Sequence, residues 1–145
     1  MRSLISHTVR SRIALPLLIV LHLLIGLLYA QATPVFEASD EGRHYAVVHW
    51  IAQGNGLPAQ RAGREVRGTQ WEQEGSQPPL YYLLSALLTA WIDTRDFEQT
   101  FVRNPLARIG LPQTTHNVNL YRHGWESPPA NFASGTVLAV MLTRG

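Results

Sequence analysis

Three apolar stretches separated by polar ones divide the chain, and the stretches differ in length and period. From Ile13 to Ala30 the run IALPLLIVLHLLIGLLYA contains 18 residues, of which only His22 is ionisable. As a helix rising about 1.5 Å per residue, it would be roughly 27 Å long, close to a hydrocarbon core of about 30 Å. The run predicts one transmembrane helix over 13–30. Pro16 falls in its first turn, where a missing N–H costs little, and Tyr29 stands at the far end, where an amphipathic ring suits the interface. His22 reads as a neutral residue turned toward other helices.

The period changes after Ser39. Tyr45, Val48, Ile51 and Ala52 recur at helical spacing, with Arg43 and Gln53 on the polar side. Ser39 or Asp40 is the expected N-cap and Gly54 the expected stop. This predicts a short amphipathic helix over about 40–53, lying near the membrane. Residues 54–76 are polar and glycine-rich, with Arg61, Arg64 and Arg67 answered by Glu65, Glu72 and Glu74, and they predict an exposed loop.

The second apolar stretch, LYYLLSALLTAWI from Leu80 to Ile92, has 13 residues and would make a helix of only about 20 Å. That is too short to span alone. Pro78 and Pro79 suit a helix start, Tyr81, Tyr82 and Trp91 sit at the ends like interfacial anchors, and Ser85 and Thr89 share one face. The prediction is an interfacial or re-entrant helix over about 79–92; an ordinary buried helix would show the same pattern. Residues 93–131 carry Pro, Asn and His without a sustained period, long for a structureless connection. A third apolar stretch, FASGTVLAVML, starts at Phe132 and reaches Arg144 before it has the length of a span, so a truncated apolar helix is expected over 132–145.

The predicted class is therefore mainly α and membrane-bound. A basic cytoplasmic segment (1–12) leads into the span (13–30), a first extracytoplasmic loop (31–131) carries two juxtamembrane helices, and the truncated helix follows. The hydrophobic fraction of 46% lies within the soluble range, so only the distribution of apolar residues reveals the span. Arg2, Arg10 and Arg12 precede any acid and place the N-terminus on the cytoplasmic side. A cleaved signal peptide competes, because Ala30-Gln31-Ala32 has the small-x-small form of a cleavage site; the length of the apolar run favours an anchor.

Composition removes several chemistries. The chain has no cysteine, which excludes disulfides, thiolate nucleophiles and cysteine metal sites. All 12 basic residues are arginine, which excludes Schiff-base chemistry and a P-loop lysine. The net charge of +2 comes without a dense basic patch, so nucleic acid is not an expected partner. No GxSxG elbow, dinucleotide glycine pattern or phosphate loop occurs.

What remains is acidic. Asp40 and Glu41 open the predicted helix, where acids complement the helix dipole without any other role. Their functional reading is that one carboxylate takes a proton from an acceptor hydroxyl while the other orients it, with Glu37 as a third acid. His44 and His49 are five residues apart and miss the i, i+4 pairing of a zinc helix, so no metal site is predicted. Divalent cation binding by carboxylates stays open, and no other cofactor is expected.

The order of these features, a basic-flanked helix, the external SDEGRHY segment, GLP and then EGSQPPLYYLLSALL, resembles the start of a polytopic glycosyltransferase of the C-type superfamily. It is most similar to the bacterial relatives of protein mannosyltransferases and aminoarabinose transferases. The resemblance runs from Ile13 to Arg144 and includes NPLARIGLPQTTHNVNLY, which looks like the family's long external loop. In that family an acid of the first external loop acts as base and a proline motif follows on a juxtamembrane helix. The resemblance matches Asp40-Glu41 to the first and Gln77-Pro78-Pro79-Leu80-Tyr81-Tyr82 to the second.

It implies a polyprenyl-phosphate-linked sugar as donor, a membrane-lipid setting, and Asp40 as base with Glu41 as its support. Glu37, His44, Gln77, Pro78 and Tyr81 would bind substrate. The implied enzyme is multi-pass in the plasma membrane, and the segment read here is expected to be inactive alone. The alternative is a small binding module, anchored or secreted, on the extracytoplasmic side.

Overall fold

A computed structural model of the chain describes residues 2–59, 68–102, 104–105, 120–124, 126 and 134–144, with side chains from Ile13 onward. Arg61, Arg64, Arg67 and the whole 106–119 stretch, His116 included, lie outside the described residues. Five α-helices and a short 3-10 turn appear among the described residues, with no strand.

Helix α1 runs Arg2–Ala32, so it begins before the predicted span. The change from basic to apolar residues marks a change of solvent, not of backbone geometry, and Ser, His and Arg can all continue a helix. Pro16 consequently sits in the helix interior, where it removes one i→i−4 bond, and not in a first turn. Within α1 the segment Ile13–Ala32 has a mean hydropathy of 2.5 and buries none of its apolar window. It is the one described helix long and apolar enough to cross a membrane.

Helix α2 (Glu41–Ala52) starts where expected, though Asp40 occupies the N-cap position without capping by its side chain. Its backbone is left-handed (φ 55°, ψ 6°), which turns the carboxylate toward Arg43, while its carbonyl accepts from the N–H groups of Arg43 and His44, both at 3.0 Å. Gly54 ends the helix at φ 82° with its N–H on the Ile51 carbonyl at 2.9 Å, a stop that relies on a residue without Cβ. The four successive residues Tyr45, Ala46, Val47 and Val48 are all buried. Helix α2 is thus central to the body and not a surface amphipathic helix, because neighbours pack on more than one side of it.

Those neighbours are the 3-10 turn Glu72–Ser76 and α3 (Leu80–Thr89). The predicted exposed loop therefore ends in packed structure: the Trp71 ring lies 5.1 Å from that of Trp50, and Glu74 is buried. The single-turn α4 (Phe97–Thr100) went unpredicted, yet Phe97 is 2% exposed and is among the largest fully buried side chains. Its ring stacks on His49 at 4.1 Å and on Phe101 at 5.1 Å and packs beside Tyr45 at 5.8 Å.

Helix α5 (Gly135–Thr143) closes the core with Val137, Ala139 and Val140. Ser134 is its N-cap, accepting from the Val137 N–H at 3.1 Å. Asp96 anchors the same end: its Oδ1 accepts from the Thr136 N–H at 3.1 Å and from Thr136 Oγ1 at 2.6 Å, and its Oδ2 from the Ser134 hydroxyl. Burial opposes ionisation of Asp96, and the hydrogen bonds from Ser134 and Thr136 outweigh it, so its carboxyl sits below the usual carboxylate range. Gly135 is required here, since a Cβ would lie 1.8 Å from the Asp93 carbonyl oxygen.

Helix α3 inverts the usual arrangement. It turns Tyr82, Ser85, Ala86 and Thr89 inward and leaves Leu80, Leu83, Leu84, Leu87 and Leu88 exposed, with Leu87 at 76%. The predicted Ser85–Thr89 face is real, and Thr89 Oγ1 donates to the Ser85 carbonyl at 2.8 Å within the buried side.

Candidate functional site

The start of α2, the Gln77–Pro79 entry to α3 and the end of α5 enclose a cleft of about 560 Å³. Its lining includes Glu41, His44, Gln77, Pro78 and Tyr81, five of the candidate residues chosen from motifs far apart in the chain. Ser39, Tyr45, Tyr82, Thr143 and Arg144 complete it. Asp40 is exposed at the rim between two lining residues and pairs with Arg43, whose Nε lies 3.2 Å from Glu72. Glu37 is not part of the lining. Its Oε2 accepts from Asn104 Nδ2 and from the Tyr121 N–H, each at 3.0 Å, so it pins two distant loop segments.

A second carboxylate does the same work beside it. Glu126 accepts from the Val35 N–H at 2.6 Å and the His123 N–H at 2.9 Å. Together Glu37 and Glu126 tie Tyr121 and His123 to the segment that leaves α1, across more than 80 residues of chain. Backbone donors buried in loops need such acceptors.

Glu41 is held by Arg144. The guanidinium grips the carboxylate through two nitrogens, Nε to Oε1 and Nη2 to Oε2, the latter at 2.6 Å. Glu41 Oε2 also accepts the Phe36 N–H at 2.8 Å. The rest of the guanidinium goes to backbone oxygens, with Nη1 donating to Ala30 at 2.6 Å and Thr33 at 2.8 Å, and Nη2 to Pro34 at 2.8 Å. Both side chains are nearly buried, at 9% and 12% exposure, so the pair has the planar, well-satisfied geometry that a buried ion pair needs.

His44 forms the other wall. Its Nδ1 is 2.8 Å from the Tyr82 hydroxyl, and that hydroxyl donates to the Glu74 carbonyl at 3.2 Å. The Tyr82 hydroxyl thereby links the His44 ring to the backbone of the 3-10 turn. Nε2 stands 3.7 Å from Glu74 Oε2, beyond hydrogen-bond reach. Burial, then the nearby Glu74 and Tyr81, push the Tyr82 hydroxyl up to about 12, so it remains a donor at every ordinary pH. Tyr81 lies edge-on to Tyr82 at 5.4 Å and donates its hydroxyl to the Thr143 carbonyl at 3.2 Å.

His49, the other histidine of α2, belongs to the core. Burial pulls its imidazole below its ordinary value against the opposing charges of Glu98 and Asp96, and Nδ1 meets Thr94 Oγ1 at 3.2 Å. The Tyr45 hydroxyl moves the other way, raised by burial first and then by Asp96. Among the described residues no group of three or more His, Asp or Glu side chains could hold a metal ion.

The sequence reading missed Arg144, Glu74 and Glu126. Arg144 looks like an ordinary basic residue after an apolar helix, and Glu74 and Glu126 stand in polar stretches, so no local pattern separates them from solvated charges. Tyr82 carries a signal, as the end of the Gln77–Tyr82 motif and as an aromatic at a helix end, though neither reading marks it as the partner of His44. No family model matches the chain, and neither a curated protein nor a solved structure matches it.

Proposed function

We propose that this chain belongs to a membrane glycosyltransferase that moves a sugar from a polyprenyl-phosphate donor to an acceptor hydroxyl on the extracytoplasmic face of the plasma membrane. The observation that carries this reading is the convergence in one cleft of the α2 acid segment and the Gln77-Pro78 motif, separated by about 36 residues of chain. The leucine face of α3 supports a membrane setting. It starts beside the cleft, bears no charge, and is followed by Trp91, which is 72% exposed while its ring N–H donates to the Leu88 carbonyl at 2.6 Å.

In this reading the cleft holds the acceptor. Asp40, exposed at the rim, takes the acceptor proton; the freed oxygen forms a bond to the anomeric carbon, and the carbon–oxygen bond to phosphate breaks with its electron pair leaving on the phosphate. Glu41 supports the site by fixing the first turn of α2 through Arg144. Gln77, Pro78, Tyr81 and His44 contact the substrate, and the N-terminus lies in the cytoplasm.

The test is transfer from polyprenyl-phosphate sugars in membranes carrying the intact protein. Asp40→Asn is expected to reduce transfer at least about 100-fold without changing membrane insertion. Retained activity removes Asp40 from the role, and absence of transfer from every such donor removes the reading.

One observation favours a second reading, an anchored extracytoplasmic binding module: the apolar window of α1 buries nothing, while α2 to α5 pack a core of their own. A soluble, folded product of residues 33–145 would support the module. Aggregation of that product through the α3 leucines supports the membrane enzyme.

A further inference from the structure

The Ala30-Gln31-Ala32 triplet has the small-x-small form after which a leader peptidase cuts, and sugar transfer makes no use of it. The bond at stake is Ala32–Thr33. A peptidase of this kind takes the residues on both sides of the bond as an extended strand, paired through its backbone to the enzyme. Here the triplet is the last turn of α1 and is α-helical.

The helical form is held from two directions. Locally, the N–H and the hydroxyl of Thr33 both donate to the Tyr29 carbonyl, each at 3.0 Å, so the turn is closed by the residue on the far side of the bond. From a distance, the Arg144 guanidinium spans the bond: Nη1 donates to the carbonyls of Ala30 at 2.6 Å and Thr33 at 2.8 Å, one on each side, and Nη2 to that of Pro34 at 2.8 Å. Arg122 Nη2 donates to the Ala32 carbonyl itself at 3.4 Å. Backbone groups that a peptidase would pair with are thus already engaged. Downstream of the bond, Thr33 and Val35 are buried, and the Val35 N–H is held by Glu126. Pulling this segment into an extended strand would break those bonds and lift Val35 out of the core.

We propose that Ala32–Thr33 is a latent processing site for a small-x-small leader peptidase, kept closed in the folded protein by the Arg144 guanidinium. Cleavage consumes one water: its hydroxyl joins the Ala32 carbonyl carbon, the carbon–nitrogen bond breaks, and the proton goes to the Thr33 nitrogen. Residues 33 onward are then released from α1. Because Glu41 grips the same guanidinium, the bond stays closed only while the start of α2 and the end of α5 remain docked at the junction. Processing here is independent of sugar transfer, so either can fail alone.

The full chain in detergent is incubated with a purified bacterial leader peptidase, and the products are followed by intact mass. The wild type is expected to stay whole, and Arg144→Ala to lose residues 1–32 at least about tenfold faster, since cutting tracks the population in which the bond is open. Adding Ala32→Leu to Arg144→Ala should stop the cut, because the peptidase needs a small residue there. Val48→Ala separates this from a general loss of stability: it truncates the buried core of α2 and removes none of the junction hydrogen bonds, so it should stay whole wherever circular dichroism shows it folded. Should Arg144→Ala fail to fold, Arg144→Lys takes its place, keeping the charge without the fork that spans the bond.

Cutting of the wild type after Ala32 as fast as of the Arg144 variant overturns the closure. Equal cutting of Val48→Ala and the Arg144 variant overturns the role of Arg144, because general opening is then the cause. An Arg144 variant that stays whole, or one still cut when Ala32→Leu is added, overturns the site itself. None of these results touches the Asp40→Asn transfer assay, which decides the transferase reading separately.

Discussion

Helices α2 and α3 pack against each other and treat their side chains in opposite ways. The less apolar α2 buries Tyr45, Ala46, Val47 and Val48 in succession, while α3, rich in leucine, hides a tyrosine, a serine, an alanine and a threonine and displays its leucines. Burial therefore follows position in the assembly and not hydrophobicity. An outward row of leucines is costly in water and costs nothing against acyl chains, so the inversion ties α3 to a lipid-facing role under the proposal above.

The sharpest way to break this comparison is to place a charge on each helix. Val48→Asp puts an unpaired carboxylate at a site with 0% exposure, at a cost of several kcal/mol, and no cooperative unfolding transition should remain in detergent. Leu87→Asp should leave that transition in place.

The next largest effect concerns the pair that holds α5 to α2. Arg144→Ala strands Glu41 and is expected to lower stability by about 3 kcal/mol in urea titrations of the detergent-solubilised chain. Removing both partners, as in Arg144→Met with Glu41→Gln, should recover most of that loss; no recovery would mean that the contacts to the carbonyls of Ala30, Thr33 and Pro34 dominate.

Asp96 gives a smaller effect with a defined pH dependence. Its folded carboxyl lies below its unfolded value, so its contribution is present above the ordinary carboxylate range and is lost as pH falls through the folded value. Asp96→Asn should cost about 1 kcal/mol at neutral pH and flatten the acid limb of stability below about pH 4. An unchanged acid limb would show that other carboxylates govern it.

The smallest stability change belongs to the outer face of α3. Leu87→Cys should alter stability by no more than about 0.5 kcal/mol. Because the chain contains no cysteine, a nitroxide can be attached there alone. In vesicles it should be reached readily by oxygen and poorly by a water-soluble nickel complex; the reverse would place the leucines in water and detach α3 from the membrane.

The sequence pattern gave much of the element layout. The long apolar run, the α2 start at Glu41, the Gly54 stop and the buried Ser85–Thr89 face follow from period and turn chemistry, which are local. What stayed hidden is non-local. Phe97 lies in a stretch without period, and its burial depends on α2 meeting α4. Glu41 was legible as an acid at a helix start, and its partner Arg144 stands 103 residues away, beyond any spacing rule. Of the candidate site, Glu41, His44, Gln77, Pro78 and Tyr81 line one cleft, whereas Glu37 serves the loops and Asp40 stays at the rim. Motif order could nominate those residues, but only folding could sort the lining from the scaffold.

The grip of Arg144 on the carbonyls of Ala30, Thr33 and Pro34 makes the junction between α1 and the body a rigid elbow in place of a tether. If α1 spans a bilayer, any lipid thickness that changes its lean would swing the whole body through the same angle. The mouth of the cleft would then be raised or lowered with membrane composition, its height above the bilayer set by the width of the surrounding lipid.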